Sequence, residues 1–189
     1  ELLVKHFGDR AGLVLDLASY MVVEGRNQGQ YYPDYAYRHP LFSPGMRIYS
    51  DSTVSKFLSS VKDEQIAGFL NDWNTDRDHK SRIYVSYDST NKNCQAGDVD
   101  FVEFGKAKVD LGLPIFNVGL AMDQNNRIPL FYELYPGSIN DVSQFKFMVD
   151  KAVGYGYKNI GFIIDRGYFC KANIRYMDEK NYGFVMMVK

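Results

Sequence analysis

A short apolar run that ends on an aspartate constrains the fold of this chain more than any other stretch. Residues Ile160 to Ile164 are apolar without alternation, which is typical of a strand covered on both faces. Asp165 follows, and Gly167 is expected to allow a tight turn into a helix. Open α/β sheets bind ligands beyond the carboxyl ends of their strands, so Asp165 is a candidate functional residue. An aspartate that caps the helix is an equally good interpretation of this motif alone.

A second predicted strand also ends on an aspartate. Residues 83–87 alternate as a strand rich in β-branched and aromatic residues does, and Asp88 is followed by the small polar residues 89–91. Two strands that end in this way suggest one shared site.

Composition and charge describe a globular protein without a general basic surface. Hydrophobic residues make up 46% of the chain and aromatic residues 15%, which is enough for a core. The net charge is −1, and residues 1–82 hold ten Lys/Arg against eleven Asp/Glu. Contact with nucleic acid would therefore depend on a local basic patch or on metal ions.

Cysteine usage and hydropathy favour a cytoplasmic protein. Cys94 and Cys170 are the only cysteines, so neither a disulfide framework nor a zinc site is indicated. No apolar stretch is long enough to predict a membrane span, and the first residues lack the layout of a signal peptide. Because the sequence begins without Met and stops just after a strand-like segment, we expect it to be part of a longer protein.

Residues 1–82 are predicted to form a helical N-terminal region. A first helix is expected to be capped by Asp9 and to stop at Gly25, followed by an irregular, Tyr-rich connection over 26–44. The apolar residues of this first helix recur at helical spacing: Leu13, Val14, Leu17, Ala18, Met21 and Val22. Two short helices then start near Ser50 and Asp63. Such a pair can be a DNA-reading helix-turn-helix, but a supporting or assembly role is the favoured interpretation.

A charged break over residues 74–82 separates this region from the main domain, residues 83–189. His79 lies in the break and is interpreted as a solvated residue. His6 and His39 likewise have no partner at ligand spacing, so no histidine is a candidate catalytic base.

The main domain is predicted to be a mixed sheet of the ribonuclease-H-like type. Strands over 83–91, 115–122 and 128–135 form an antiparallel meander, and a helix capped by Asp141 with Gln144 then crosses the sheet. The crossover lays strand 160–164 parallel to the first strand. A helix over 170–180 and a strand over 184–188 complete a β-β-β-α-β-α-β order in which the last helix is missing. Asp88 and Asp165, 77 residues apart in sequence, then become neighbours.

Several motifs in this order carry a family resemblance. They are Tyr87 to Asn91, Gly112 to Asp123, Ile128 to Leu130, Tyr135 to Asp141, and Asp165 to Phe169. Together they resemble the DDE transposases of bacterial insertion sequences, in the branch whose catalytic domain carries a β-rich insertion. The helical N-terminal region also resembles the leading part of that family.

The resemblance implies a metal-dependent reaction on DNA. It makes Asp88 and Asp165 catalytic residues and ligands of two Mg²⁺ or Mn²⁺ ions, which would cleave phosphodiesters and transfer strands. The third acid, a glutamate, is expected beyond Lys189, so the 189 residues alone are expected to be inactive.

The resemblance also implies DNA partners. These are the terminal inverted repeats of an insertion sequence and its target DNA, bound by a homodimer in a synaptic complex without a membrane, in the bacterial cytoplasm near the nucleoid. Arg166, Lys106 and Lys108 are candidate contacts of DNA phosphates, although solvated surface cations are an alternative interpretation.

Two other functions are compatible with the sequence. A phosphatase with a strand-end aspartate nucleophile would explain Asp88, but such enzymes commonly have a second aspartate two positions later, where this chain has Thr90. The chain can also be a non-catalytic DNA-binding or assembly remnant of a transposase.

Overall fold

The computed structural model describes residues 1–188, which fold as two compact units. The first unit is Glu1–Trp73, and the second begins at Asn74. Each unit has its own cluster of buried hydrophobic side chains. No helix in the described part of the chain combines the length and apolar character that crossing a membrane requires.

The first unit is helical. Its helices are α1 (Leu2–Phe7), α2 (Ala11–Glu24), α3 (Tyr32–Arg38), α4 (Asp51–Ser60) and α5 (Asp63–Thr75), the last of which runs to the start of the second unit. The α4 helix starts as predicted, because the Ser50 side chain accepts a hydrogen bond from the Thr53 amide.

The first long helix, α2, differs from the prediction in its start and in its buried face. Asp9 does not cap it, because Asp9 lies inside a 3₁₀ turn, Gly8–Arg10, that leads into the helix. The buried face includes Asp16, whose carboxylate accepts hydrogen bonds from the amides of Phe42 and Ser43. Met21 and Val22, predicted on the apolar face, are 51% and 84% exposed. The predicted stop at Gly25 is confirmed, with a left-handed φ of 64°.

The Tyr-rich segment after α2 is not wholly irregular, because it contains α3. Tyr32, Tyr35 and Ala36 are buried at helical spacing, and Pro33 stands in the first turn, where a missing amide hydrogen costs little. The prediction of an irregular connection over 26–44 was wrong here. The tyrosines hid a helical face because aromatic residues are equally common in strands.

The second unit is a five-stranded sheet with two helices. In chain order the elements are β1 (Ile83–Asn93), β2 (Ile115–Asp123), β3 (Ile128–Pro136), α6 (Asp141–Gly154), β4 (Ile160–Ile164), α7 (Lys171–Glu179) and β5 (Gly183–Met186). The strand order is β3-β2-β1-β4-β5, with β1, β2 and β3 antiparallel and β4 and β5 parallel to β1. This is the predicted ribonuclease-H-like arrangement.

Both helices of the second unit contribute to a core on one face of the sheet. Phe145 and Met148 of α6 and Met177 of α7 are buried there with Val85 and Phe162 of the strands. On the opposite face, four apolar side chains are 40% to 65% exposed: Leu120, Leu134, Ile163 and Val185. The expectation that strand 160–164 is covered on both faces was therefore wrong at Ile163 for the part of the chain described.

The start of α6 also differs from the prediction. Asn140, rather than Asp141, caps the helix, because its side-chain oxygen accepts from the Ser143 amide at 3.0 Å. Asp141 instead accepts a hydrogen bond from the Tyr135 hydroxyl at 2.8 Å. The Gln144 amide donates to the buried Glu133 carboxylate at 2.9 Å, so this residue serves the core rather than a capping pair.

Candidate active site

Asp88 and Asp165 lie next to each other on the sheet, but only Asp165 follows the end of its strand. Asp88 is the sixth residue of β1, which continues to Asn93, so the prediction that this strand ends at Asp88 was wrong. The parallel register of β1 and β4 pairs Ile83 with Ile160 and runs to Tyr87 with Ile164, so the two aspartates are the next residues in line. Adjacent strands in a sheet lie about 4.8 Å apart. Alternation along each strand places both side chains on the face opposite the helices, and both are exposed.

The two carboxylates have no cationic partner among the described residues. Asp88 accepts a hydrogen bond from the Ser89 amide at 2.8 Å, and Asp165 accepts one from the Arg166 amide at 2.6 Å. Each bond uses one carboxylate oxygen, Oδ1, and involves the backbone of the next residue. No ion pair in this part of the structure includes either aspartate. Two like charges on neighbouring strands, without a neutralising side chain, form a suitable place for a cation.

Two buried tyrosines, Tyr87 and Tyr168, pack in the core near the two aspartates. Tyr87 precedes Asp88, Tyr168 follows Asp165 after a short turn, and their ring centroids are 5.5 Å apart. The Tyr87 hydroxyl faces the buried Glu133 carboxylate at 3.4 Å. Burial raises the pKa of Tyr87, and the negative charge of Glu133 raises it further. Both tyrosines therefore stay neutral over the physiological range and act as rigid supports.

Nearby carboxylates also affect the pKa values of Tyr168 and Tyr135. Burial raises the pKa of Tyr168, and the charges of Asp141 and Asp88 add to the effect. Burial likewise raises the pKa of Tyr135, whose hydroxyl donates to Asp141. No role for these tyrosines was predicted from the sequence, because a tyrosine within a strand pattern is equally typical of a core.

A cleft of about 610 Å³ lies along the part of β1 that follows Asp88. It is lined by Ser89 and Thr90 of the strand, by Lys106 and Lys108 of the following loop, and by residues 137–142 at the start of α6. Lys108 Nζ donates to the Ser89 carbonyl oxygen at 2.9 Å. Both predicted DNA-contacting lysines therefore lie at the same end of the sheet as the acids.

Asn91 holds the lysine-bearing loop in place. Its Nδ2 donates to the Lys106 carbonyl oxygen at 2.9 Å, and its Oδ1 accepts from the Lys108 amide at 2.9 Å. Asn93 makes a matching pair of hydrogen bonds to the backbone of Asp110. Sequence reasoning missed this role, although two asparagines spaced two residues apart lie on one side of a strand and could have indicated it.

Arg166 and Gly167 occupy the turn after Asp165. The Arg166 side chain is exposed, on the same short 3₁₀ turn that carries Gly167. Gly167 does not have the left-handed backbone that would require glycine, so the predicted reason for this residue was wrong. A Cβ built there would lie 3.8 Å from Asp165 Oδ2, and Gly167 lines the cleft. The glycine thus leaves open space beside the carboxylate.

Among the described residues, Asp88 and Asp165 alone do not provide enough ligands for a metal ion. No group of three or more His, Cys, Asp or Glu side chains comes together anywhere in residues 1–188. Asp88 and Asp165 are hard oxygen donors of the kind that Mg²⁺ and Mn²⁺ prefer, and each keeps an oxygen that receives no hydrogen bond from its neighbouring amide. They fit two of the ligands of such an ion.

His79 and the cysteines lie outside this site. His79 is not simply solvated as predicted, because its Nε2 lies 2.8 Å from the Asn74 carbonyl oxygen and its ring packs 4.6 Å from that of Tyr157. Cys94 and Cys170 are free thiols, and the Cys170 sulfur accepts the Asn173 amide at the start of α7.

Comparison with known proteins decides the family. A family model described as "Transposase DDE domain" matches residues 79–189. The chain belongs to this family. No curated protein matches the chain. The region matched by the family model contains the sheet, Asp88, Asp165 and the lysine-bearing loop.

Solved structures similar to this transposase chain are distant in sequence. The Mos1 transposase paired-end complex is 13% identical with a TM-score of 0.35, covering 95% of this chain and 58% of that one. The Drosophila P element transposase strand transfer complex is 12% identical with a TM-score of 0.48, covering 97% and 41%. The Mos1 strand transfer complex is 12% identical with a TM-score of 0.34, covering 97% and 59%. The chain thus spans between about two fifths and three fifths of these proteins.

Proposed function

We propose that Asp88 and Asp165 are the first two acids of a DDE active site that cleaves DNA strands and joins them to new partners. The observation that supports this best is a pair of exposed carboxylates without an ion-pair partner on adjacent parallel strands, one within β1 and one just after β4, in a chain of the transposase DDE domain family. A third acidic ligand would come from outside the described residues.

The residues of the chain have distinct tasks in this proposal. The Ser89 and Arg166 amides each donate to Oδ1 of the adjoining aspartate, and the other oxygen of each carboxylate would be available to hold a cation. Two Mg²⁺ or Mn²⁺ ions, when bound, would neutralise the scissile phosphate and activate the attacking water or 3′-hydroxyl. Lys106, Lys108 and Arg166 would hold the neighbouring phosphates.

Nicking of DNA that carries the ends of its own element tests the proposal. The full-length protein should nick this DNA in Mg²⁺ or Mn²⁺ and should stop doing so in EDTA. Asp88→Asn and Asp165→Asn should each abolish nicking but shift the free energy of unfolding by no more than about 0.5 kcal/mol, because both side chains are exposed. Asp178→Asn, which alters an exposed carboxylate of α7, is the matched control and should nick normally.

The same assay separates the alternatives. Near-normal nicking by Asp88→Asn or Asp165→Asn would contradict the role of the altered residue as an essential ligand. Binding of element ends without any nicking, under all metal conditions, would favour a non-catalytic remnant. Residues 1–189 alone should be inactive, because two carboxylates leave the ions short of protein ligands.

The proposed partners are the terminal inverted repeats of the element and its target DNA. A homodimer would bring two ends together, and the place of action would be the bacterial cytoplasm, where the DNA lies. Sedimentation of the full-length protein with and without element ends tests the dimer, which should appear or grow when the DNA is added.

A further inference from the structure

A cleft of about 350 Å³ on the helical first unit carries two cations that no carboxylate neutralises. Its lining residues come from the α1–α2 junction, from α4 and from the start of α5: Phe7, Arg10, Thr53, Lys56, Phe57, Ser60, Val61 and Gln65. None of them is fully buried, so the cleft belongs to the surface. Within the described residues, neither Arg10 nor Lys56 takes part in an ion pair.

The other polar groups of the cleft are already used within the fold. The Thr53 hydroxyl lies 2.9 Å from that of Ser50, and the Ser60 hydroxyl donates to the Phe57 carbonyl oxygen at 2.7 Å. Gln65 accepts from the Lys62 amide and donates to the His6 carbonyl oxygen, both at 3.0 Å. The two cations therefore carry the charge that is available to a ligand, which favours an anion.

The arginine is held in position by an aromatic ring. The Arg10 guanidinium lies 5.1 Å from the ring centroid of the buried Tyr49, and Arg47 lies at the same distance from that ring. Such contacts fix a guanidinium but leave its N–H donors available. Three cations thus gather around Tyr49 and the cleft, whereas Lys5 and Arg38 of the same unit pair with Asp72 and Glu24.

We propose that this cleft binds the phosphate backbone of duplex DNA, without sequence preference and without metal. Cations combined with an apolar floor, here Phe7 and Phe57, suit phosphates that alternate with sugars. The choice of DNA as the anion rests on the proposed function. The α5 helix is a poor reading helix, since its residues include Asp63, Glu64 and Asp72 but no Lys or Arg. DNA contact by this unit therefore comes from the cleft and not from a helix-turn-helix.

Fluorescence anisotropy of a labelled duplex with residues 1–189 in EDTA tests the cleft separately from the acids. Arg10→Ala and Lys56→Ala should each weaken binding, and each should lower the slope of log K against log salt by about 0.9, the value for one lost phosphate contact. The double variant should lose about twice that slope. Arg10→Lys should keep most of it, because the charge remains.

Three controls make the result specific. Lys62→Ala removes an exposed cation of the same unit outside the cleft and should bind as the unaltered chain does. Asp178→Asn, outside both the cleft and the proposed active site, should also bind normally. Because EDTA removes the metal that nicking requires, loss of nicking and loss of cleft binding are distinguishable. The Lys56 side chain makes no hydrogen bond or ion pair with the other described residues, so its variant should unfold at the same urea concentration.

The outcomes that would overturn the proposal are clear. Unchanged affinity and slope in the double variant would place DNA binding elsewhere. Displacement of the duplex by millimolar inorganic phosphate, with a loss of this effect in the double variant, would assign the cleft to a small phosphorylated ligand instead. Binding that depends on sequence as strongly as on the two cations would also contradict it.

Discussion

The side chain of Tyr87 occupies the space beside Gly119, so only glycine fits at position 119. A Cβ built on Gly119 would lie 2.0 Å from the Tyr87 hydroxyl oxygen and 2.5 Å from its Cζ, because the tyrosine lies across the glycine. Tyr87 is also the residue before Asp88, so its position bears directly on the proposed site. Glycine is required here for close approach and not for an unusual φ.

Gly119→Ala should therefore destabilise the protein by about 1–3 kcal/mol, the cost of inserting a methyl group into a filled core. Urea unfolding of residues 1–189 measures this. In a Tyr87→Ala background the same change should cost close to nothing, which a double-mutant cycle detects as coupling. Gly97→Ala is the matched control, because a Cβ there meets no atom within 4 Å. Equal costs in both backgrounds would show that Tyr87 does not cause the crowding.

Tyr157 gives a pH-dependent contribution to stability. It is buried, its hydroxyl donates to Asn74 Oδ1 at 2.9 Å, and burial raises its pKa to about 12 despite the opposing charge of Arg77. The unfolded chain ionises this group near pH 10, so its contribution is complete below that pH and falls as the pH rises from about 10 to about 12.

Tyr157→Phe should cost about 1 kcal/mol at pH 7, because one buried hydrogen bond is lost. The gap between variant and unaltered chain should narrow as the pH rises above about 10, where the tyrosine, but not phenylalanine, favours the unfolded state. Urea unfolding at a series of alkaline pH values measures both free energies. A gap that stays constant or widens there would contradict the assigned cause.

At the scale of elements, the lysine-bearing loop is hydrogen-bonded to the last residues of β1. Asn91 binds the backbone of Lys106 and Lys108 through both ends of its amide. Asn91→Ala should raise hydrogen exchange of the amides around Lys108, because the loop loses two hydrogen bonds. Lys92→Ala, an exposed neighbour on the other side of the strand, should leave exchange unchanged. Similar protection in both variants would mean that other contacts hold the loop.

The sequence predicted the strands better than the helices of this protein. Strand β1 was foreseen because Ile83, Val85 and Tyr87 alternate with exposed residues, and alternation has few other causes. The α3 helix was missed because tyrosines give no clear period, and the face of α2 was misjudged because a buried Asp16 serves a distant loop. Such long-range hydrogen bonds leave no local pattern.

The candidate site was foreseen only in part for the same reason. The adjacency of Asp88 and Asp165 followed from topology, since a right-handed crossover leaves few other placements for β4. The extension of β1 past Asp88 to Asn93 was missed, because the polar residues after Asp88 are typical of a loop. The support from Tyr87, Tyr168 and Asn91 depends on packing between segments far apart in sequence, which no local pattern encodes.

At the scale of the whole molecule, each unit has a core of its own. The cluster of the first unit includes Leu13, Tyr20 and Tyr32, and the larger cluster of the second includes Val85, Phe145 and Phe162. Residues 74–189, expressed alone, should therefore unfold cooperatively in urea and keep the near-ultraviolet signal of packed tyrosines. Residues 1–73 should be less stable, because a smaller chain buries a smaller fraction of its surface. A molten second unit would show that its core needs the first.

Because β1 pairs with β4, the two aspartates come together only late in the synthesis of the protein. The antiparallel meander of β1, β2 and β3 closes through neighbouring segments and can form while synthesis continues, but it contains only one of the two acids. Asp165 is made 77 residues after Asp88 and reaches it only when α6 has crossed the sheet. A ribosome-bound or stalled chain that ends before β4 thus has no paired acids. In the proposed mechanism, such an unfinished chain could not cleave the DNA around it.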